Sequence, residues 1–424
     1  MEKWSSKRAF ILATIGSAVG IANIWRFSAI AGDYGGGAFM LPFALAVIFL
    51  AIPLMMLEMA VGRHLESDVL SAFRELKDCF LPIGAAIAVV LIVLTGVYLV
   101  ITGWTLAFLT ISVTPIEADF SDFSSSWWPI LFFLISLVLT MLIVAKGIRE
   151  GIERVVTRLV PLQFLILGIL VVYSITTDGF VDSLRYLFTP DFEMMTRADV
   201  WVAAFGQAFF SLAVGYGLIL TYASYMGHDI SIPQSVGIIT IADVGAAILS
   251  GTVIFSVVFA QDLDPAMGAE LAFTTLPLAF EAISIGWLLA ILFFGLLFAA
   301  ALTSAVSMME VPVAAIINNT SLTRPKAAYM VSAALLVIGG LATLSYSAAD
   351  LRIGGERVLD VIDYTFGTLG IPIAALLTAL IFAWYIEDSQ LIVEVDPFWG
   401  KLILPLVKYL VPPVLLVVII FQFI

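Results

Sequence analysis

Apolar runs of about twenty residues or more, separated by short polar connections, constrain this chain more than any other feature. They lie near 8–31, 38–62, 82–113, 127–145, 156–177, 200–224, 233–260, 273–317, 326–346, 358–386 and 400–424. Each can cross roughly 30 Å of hydrocarbon as a helix, the form in which every backbone N–H and C=O finds a partner within its own segment. A water-soluble body is excluded, because 62% hydrophobic and 12% charged residues leave too little polar surface to cover 424 residues. The expectation is an all-α membrane protein with eleven transmembrane helices. The eighth stretch is long enough to open with a lateral helix over Phe273 to Ala282, its span proper starting near Gly286.

Charge placement gives an orientation. With the N-terminus inside, alternate assignment puts thirteen of the nineteen Lys and Arg inside (Lys3, Lys7, Arg8, Arg63, Arg74, Lys77, Lys146, Arg149, Arg154, Arg158, Arg324, Lys326 and Lys401). Five fall outside (Arg26, Arg185, Arg197, Arg352 and Arg357), and Lys408 lies within the last span. This asymmetry obeys the positive-inside rule, and an odd number of spans leaves Ile424 outside. The formal net charge of −13 speaks against a nucleic-acid partner. One cysteine, Cys79, permits no intrachain disulfide, and two histidines, His64 and His228, both read as loop residues, make a histidine metal site a poor expectation. The first apolar run is read as a retained span rather than a cleaved leader, since it is long and Arg26 interrupts it.

A single membrane domain, 1–424, is expected, and its interior carries a hint of repetition. Ser17-Ala18-Val19-Gly20 in the first span is echoed by Leu212-Ala213-Val214-Gly215-Tyr216-Gly217 in the sixth, five spans later and therefore in the opposite orientation. Glycine and polar residues in the middle of corresponding spans point to discontinuous helices around a midplane binding site. The other reading of such glycines is close helix packing.

Asn23 and Arg26, within the first span, must face protein or water. If the backbone unwinds near Val19 and Gly20, its freed carbonyls become oxygen ligands for a small cation and its freed amides can hold a carboxylate. Thr303 and Ser304 in the eighth span could complete an oxygen cage, or could bond back to their own helix. Asp243, in the middle of the seventh span, needs a cation, a proton or a partner.

The string Gly16 to Phe27, the following Asp33-Tyr34-Gly35-Gly36-Gly37-Ala38-Phe39, Gly206-Gln207-Ala208-Phe209-Phe210-Ser211, Thr221-Tyr222-Ala223-Ser224-Tyr225 and Leu302-Thr303-Ser304 together resemble the neurotransmitter:sodium symporter family, in its prokaryotic branch. The resemblance runs in order along essentially the whole chain. It implies a LeuT-type fold: a 5+5 inverted repeat of about 8–177 and 200–386, broken helices 1 and 6, and a peripheral helix at about 400–424. It also implies a multi-pass protein of a prokaryotic inner membrane, and a symporter rather than an enzyme.

By that resemblance two sodium sites are expected. One takes the carbonyls of Gly16, Val19 and Ala300 with the hydroxyls of Thr303 and Ser304; the second takes Ala18, Asn23, Ser211 and Asp243. Many relatives carry Asn at the last position and draw negative charge from chloride or a nearby Glu, whereas here Ala247 follows, so Asp243 is read as supplying the charge and no chloride requirement is expected. The substrate is an amino acid whose carboxylate meets sodium and the first-span amides, with Tyr98 capping it. Gly20 leaves room for that carboxylate, and the lining is Ala18, Ala22, Leu94, Phe210, Ser211, Ala213, Tyr216, Ser304 and Met308. A neutral, hydrophobic side chain fits such a wall.

Arg26 and Asp363 match the family's outer gate, with Gln207 beside Arg26 and the rings of Tyr98 and Phe210 as an inner lid. The family's inner Arg–Asp latch would fall on Met1 and Asn318, so both halves are missing and other contacts, from Trp4, Ser224 and Tyr225, would have to serve. Gly151 and Pro161 match a spacing associated with unwinding of the fifth helix. The competing readings are a proton-coupled amino-acid transporter of the same fold, with Asp243 titrating, and a non-transporting amino-acid-binding membrane receptor.

Overall fold

The computed structural model describes residues 2–114, 119–265, 271–281 and 283–423, so that Met1, Ala282 and Ile424 lie outside the described residues. Nine continuous helices among these are long and apolar enough to cross a membrane: Gly37–Leu65, Asp78–Ser112, Trp128–Ala145, Ile148–Ser174, Ile232–Ala260, Gly286–Asn319, Arg324–Leu344, Val358–Tyr385 and Pro397–Phe421. The first apolar stretch is a pair of helices, Lys7–Ala18 and Ala22–Asp33, bent by 51° at its break. The sixth is also in two pieces, Ala198–Ser211 and Leu218–Ser224, on either side of residues 212–217. Each expected apolar segment thus corresponds to helix, whole or broken.

Local chemistry accounts for several boundaries. A short helix, Leu276–Glu281, precedes the eighth span, which begins at Gly286. Pro129, Pro233, Pro325 and Pro397 stand in the first turns of their helices, where the missing N–H costs nothing. The second span runs on through His64 to a left-handed cap at Glu66 (φ 46°), so His64 sits in the last turn of a helix and not, as read from the sequence, in a loop. Among the described residues the one strand pair is a two-residue hairpin, Arg352–Ile353 with Glu356–Arg357, turned by Gly354 and Gly355. The fifth span is helical from Ile148 to Ser174 through both Gly151 and Pro161.

The eighth span forms the axis of the bundle. It packs along the third span, the fifth and the first, and its side chains from Phe293 to Ala315 are almost all buried. Outward faces carry large apolar groups such as Ile241 (76% exposed) and Val172 (65%), as a lipid-facing surface requires. The two broken spans meet inside this shell, and that meeting places the site.

Candidate functional site

The break in the first span comes at Val19, whose backbone is extended (φ −74°, ψ 94°) after the last helical residue, Ala18. In the sixth span the chain passes through three left-handed residues, Ala213 (φ 54°), Gly215 (φ 95°) and Gly217 (φ 82°). Glycine is required at Gly215 on two counts, since a Cβ there would also stand 2.3 Å from Ala375 Cβ. Amides freed by unwinding must find acceptors in a dry interior. Here the fully buried carboxylate of Glu58 accepts from Gly215 N at 2.9 Å and Gly217 N at 3.2 Å, while Thr378 Oγ1 donates to Gly215 O at 3.0 Å.

Around the first break the structure joins three of the four residues of one expected ligand set, Asn23, Ser211 and Asp243, in a closed cluster, while among the described residues no hydrogen bond ties the fourth, Ala18, to it. Asn23, Ser211 and Asp243 have no solvent exposure. Asn23 Nδ2 donates to Asp243 Oδ1 at 2.6 Å, to Ser211 Oγ at 2.9 Å and to Asp243 O at 3.2 Å, and Ser211 Oγ donates to Asp243 Oδ2 at 2.8 Å. Asn23 Oδ1 accepts from Gly20 N at 3.0 Å, tying the cluster to the broken helix. Among the described residues no Lys or Arg pairs with Asp243.

The other set lies between the first, fifth and eighth spans. Ser304 Oγ donates to Gly16 O and Ser17 O, both at 3.3 Å, and Thr303 Oγ1 donates to Ala300 O at 3.0 Å and Ala299 O at 3.2 Å while accepting from Gln163 Nε2 at 3.2 Å. Val19 follows as the cap of the same half-helix. Each hydroxyl therefore bonds one carbonyl of the expected set, Thr303 that of Ala300 and Ser304 that of Gly16, while neither bonds the carbonyl of Val19. Among the described residues no three His, Cys, Asp or Glu converge, so the donors on offer are hydroxyls, carbonyls and one carboxylate, the hard oxygen set that suits an alkali cation.

A cavity of about 720 Å³ runs from Ala18, Gly20, Ala22, Ser304 and Met308 past Leu94, Tyr98, Phe210 and Tyr216 to Arg26 and Asp363, and on to the exposed residues Asp119 and Asp360. Gly20 is the point of closest approach: a Cβ there would lie 2.6 Å from both Ser304 Oγ and Tyr98 Oη. Tyr98 Oη accepts from Ile21 N at 3.1 Å, holding the start of the second half-helix. Two residues expected in the lining are not on this wall: Ser211 turns into the Asp243 cluster, and Ala213 is buried within the unwound stretch.

The two ends of the cavity differ. At the Arg26 end, Arg26 Nη1 donates to Gln207 Oε1 at 2.7 Å, its guanidinium lies 4.6 Å from the Phe210 ring centre, and Gln207 Nε2 donates to Ala22 O at 2.8 Å. Arg26 makes no ion pair with Asp363 here, and both line the open passage.

The Trp4 end is sealed. Trp4 is 6% exposed, donates from Nε1 to Tyr222 O at 3.0 Å, and packs edge-on to the rings of Tyr222 and Tyr225. Tyr225 Oη donates to Glu310 Oε1 at 2.9 Å; Glu310 Oε2 receives Arg324 Nη1 at 2.7 Å, and Arg324 Nε reaches Glu2 at 3.2 Å. Lys3 Nζ donates to Glu66 at 2.6 Å, and this bond holds the Glu66 carboxyl below its ordinary pKa. Ser224 only bonds back to Thr221 O, and Asn318 donates to Asp68.

Glu58, Glu310 and Arg324 are the structural participants that sequence reasoning passed over. The rule that singled out Asp243, a carboxylate in mid-span, applies equally to Glu58 and Glu310. Their partners lie far off in the chain or at its next turn: backbone amides of the sixth-span break for Glu58, and an arginine at the head of the next helix for Glu310.

A sequence model described as the sodium:neurotransmitter symporter family matches residues 1–117 and 112–424. The uncharacterized sodium-dependent transporter YhdH of Bacillus subtilis is 34% identical over 409 residues, covering 92% of this chain and 90% of that relative. The uncharacterized sodium-dependent transporter MJ1319 of Methanocaldococcus jannaschii is 31% identical over 416 residues, covering 92% and 83%. The crystal structure of MhsT in complex with L-phenylalanine superposes with a TM-score of 0.90 at 33% identity, over the full length of both chains.

Proposed function

The chain belongs to the sodium:neurotransmitter symporter family, and from that premise we propose that it imports a neutral, mainly apolar amino acid by letting sodium run down its gradient through alternating access. The observation that carries this reading is the meeting of two helix breaks at a cavity flanked by two oxygen clusters, one around Asp243 and one around Thr303 and Ser304. Charge is coupled to substrate because a cation beside Asp243 compensates the buried carboxylate, and the Asn23 amide that now occupies that carboxylate is the group it would displace. Displacement alters the bond from Gly20 N to Asn23 Oδ1, at the very backbone where a substrate carboxylate would be received.

Side-chain selectivity follows from a wall of Leu94, Phe210, Met308, Ala18 and Ala22, which offers a charged side chain no counter-ion. The likeness to a structure holding L-phenylalanine supports a neutral amino acid of this kind. Two sodium ions per cycle and no chloride requirement complete the reading, the charge of Asp243 being covalently present. Arg26 and Asp363 act as the outer gate, open here, and the Trp4 end, with Glu310 and Arg324, as the inner one. The positive-inside balance supports an N-terminus in the cytoplasm of a prokaryotic cell, with the chain in its inner membrane.

The test is uptake of radiolabelled amino acids into proteoliposomes with and without an inward sodium gradient. Accumulation that needs sodium is expected. Uptake driven by a proton gradient without sodium would replace this reading with the proton-coupled one.

A further inference from the structure

The fifth span buries a stripe at helical spacing, Val156, Val160, Gln163, Leu167 and Leu170, that is apolar except at Gln163. Gln163 stands near the middle of the helix Ile148–Ser174 and is 1% exposed, at a depth where lipid and protein leave a polar group only other protein groups to pair with. A carboxamide brings two N–H donors and an oxygen with two lone pairs into such a place. Its nitrogen donates to Thr303 Oγ1 at 3.2 Å, while its oxygen, also buried, has no hydrogen-bond partner among the described residues. Leucine would continue the stripe without leaving an acceptor unpaired, so helix packing does not account for a glutamine here.

The surroundings are those of the Thr303 and Ser304 cluster. At Gly16 the first span comes so near the fifth and the eighth that a Cβ would lie 2.8 Å from Val160 Cγ2 and 3.4 Å from Thr303 Cβ, and Gln163 follows Val160 on the same face. The amide nitrogen of Gln163 occupies a lone pair of Thr303 Oγ1 that a cation would need, as Asn23 Nδ2 occupies the Asp243 carboxylate at the other cluster. A half-turn about the terminal bond of the side chain, whose torsional profile is broad and two-fold, exchanges the ends of the amide and brings oxygen to the place of nitrogen. Two oxygens 3.2 Å apart need something positive between them. Two ligands of one cation at about 2.4 Å, the oxygen distance of calcium, an ion near sodium in size, stand about 3.4 Å apart across a right angle.

We infer that Gln163 is a further oxygen ligand of the cation held at Thr303 and Ser304, its carboxamide turning from a donor to Thr303 Oγ1 into an oxygen facing the ion. This rests on the transport reading above and adds a fifth-span residue to a site otherwise built from the first and eighth spans. One movement gives the unpaired oxygen its partner and frees the threonine hydroxyl for the same ion. It also couples occupancy of the site to the contact between the fifth and eighth spans that this amide makes.

The experiment reads sodium binding itself, as the rise in thermal stability of the purified protein across a sodium titration, without substrate and at constant ionic strength set with potassium, for wild type, Gln163→Met and Gln163→Glu. Methionine keeps the length of the side chain without its oxygen, and glutamate keeps an oxygen in place while removing the amide donor. The methionine variant is expected to be as stable as wild type in the absence of sodium and to need about tenfold or more sodium for the same stabilisation. The glutamate variant is expected to bind sodium at least as tightly as wild type. An unchanged sodium midpoint in Gln163→Met overturns the assignment. So does an equal weakening in both variants, which would show that the site needs the amide donor to Thr303 and not the oxygen. Should the methionine variant not fold, the glutamate variant decides alone: sodium affinity at or above wild type upholds the ligand, and weaker affinity refutes it. Absence of any sodium-dependent stabilisation in the wild type would instead remove the sodium-coupled reading itself, and this inference with it.

Discussion

Asn23 and Asp243 meet through a 2.6 Å hydrogen bond that joins the broken first span to the middle of the seventh, with Ser211 of the sixth closing the triangle. Three spans thus converge on a carboxylate that no Lys or Arg among the described residues neutralises. A buried charge in that position is tolerable only with an ion or proton supplied from outside.

Asp243→Asn is accordingly expected to weaken sodium affinity at least tenfold, an anionic ligand having become a neutral amide. Wild-type uptake should be the same in gluconate as in chloride, since the balancing charge is covalent. Chloride should partly restore the mutant by entering near Ala247, which is fully buried one turn along the same helix. Uptake assayed across sodium and chloride concentrations checks this, and strong chloride dependence in the wild type would show that Asp243 does not supply the charge.

Thr303→Ala with Ser304→Ala should abolish sodium-dependent binding of substrate. Each hydroxyl lies against carbonyls, Thr303 Oγ1 at 3.0 Å from Ala300 O and Ser304 Oγ at 3.3 Å from Gly16 O, and a cage deprived of both hydroxyls cannot replace the hydration shell of an ion. Binding measured against a sodium titration is the readout. Unchanged sodium dependence in the double variant would remove the site.

The fold and most of this geometry were legible in the sequence because their causes are local. Apolar runs fix the spans, Ala-Val-Gly repeats mark both breaks, and Asn23, Asp243, Thr303 and Ser304 are polar where lipid forbids it. What stayed hidden depends on contacts distant in sequence. Glu58 serves the amides of Gly215 and Gly217, four spans further on, and the seal at the Trp4 end joins Glu2, Glu310 and Arg324, which no motif connects.

Arg26 and Asp363 face one passage without touching, Arg26 being held by Gln207 and Phe210. If their pairing closes the outer end, Asp363→Asn should reduce uptake roughly tenfold or more while equilibrium binding on the same purified sample stays within about threefold of wild type, because the pair forms only in a state of the cycle that binding alone does not require. Normal uptake by the variant would exclude a gating role.

The bond from Lys3 to Glu66 has a pH signature. Glu66 has its pKa lowered in the folded protein by that hydrogen bond, so its contribution to docking the N-terminal segment is present above the ordinary carboxylate range and is lost as pH falls through the lowered value. Protease access to the N-terminal segment should therefore stay low at neutral pH and rise only in acid below that range. Glu66→Gln should show the raised access already at neutral pH, and a profile identical to wild type would count against the contact.

Glu310 is fully buried and joins Tyr225 to Arg324, which in turn reaches Glu2, so it ties the eighth span, the sixth, the ninth and the N-terminal segment at the sealed end. Removing one member of a buried ion pair leaves the other uncompensated and typically costs about 3–5 kcal/mol. That cost falls on the closed state alone if the contact is a gate. Glu310→Gln should then shift the population towards a state open at the Trp4 end, lowering uptake several-fold. The chain has one cysteine, Cys79, so replacing it with serine gives a background in which Ser224→Cys, at a position 1% exposed when closed, reports that opening by its labelling rate. Faster labelling is expected in Glu310→Gln, and partial reversal when Arg324→Gln is added, because the orphaned charge is then gone. Equal labelling in all three proteins would mean that the Glu310 and Arg324 pair braces the fold without closing the passage.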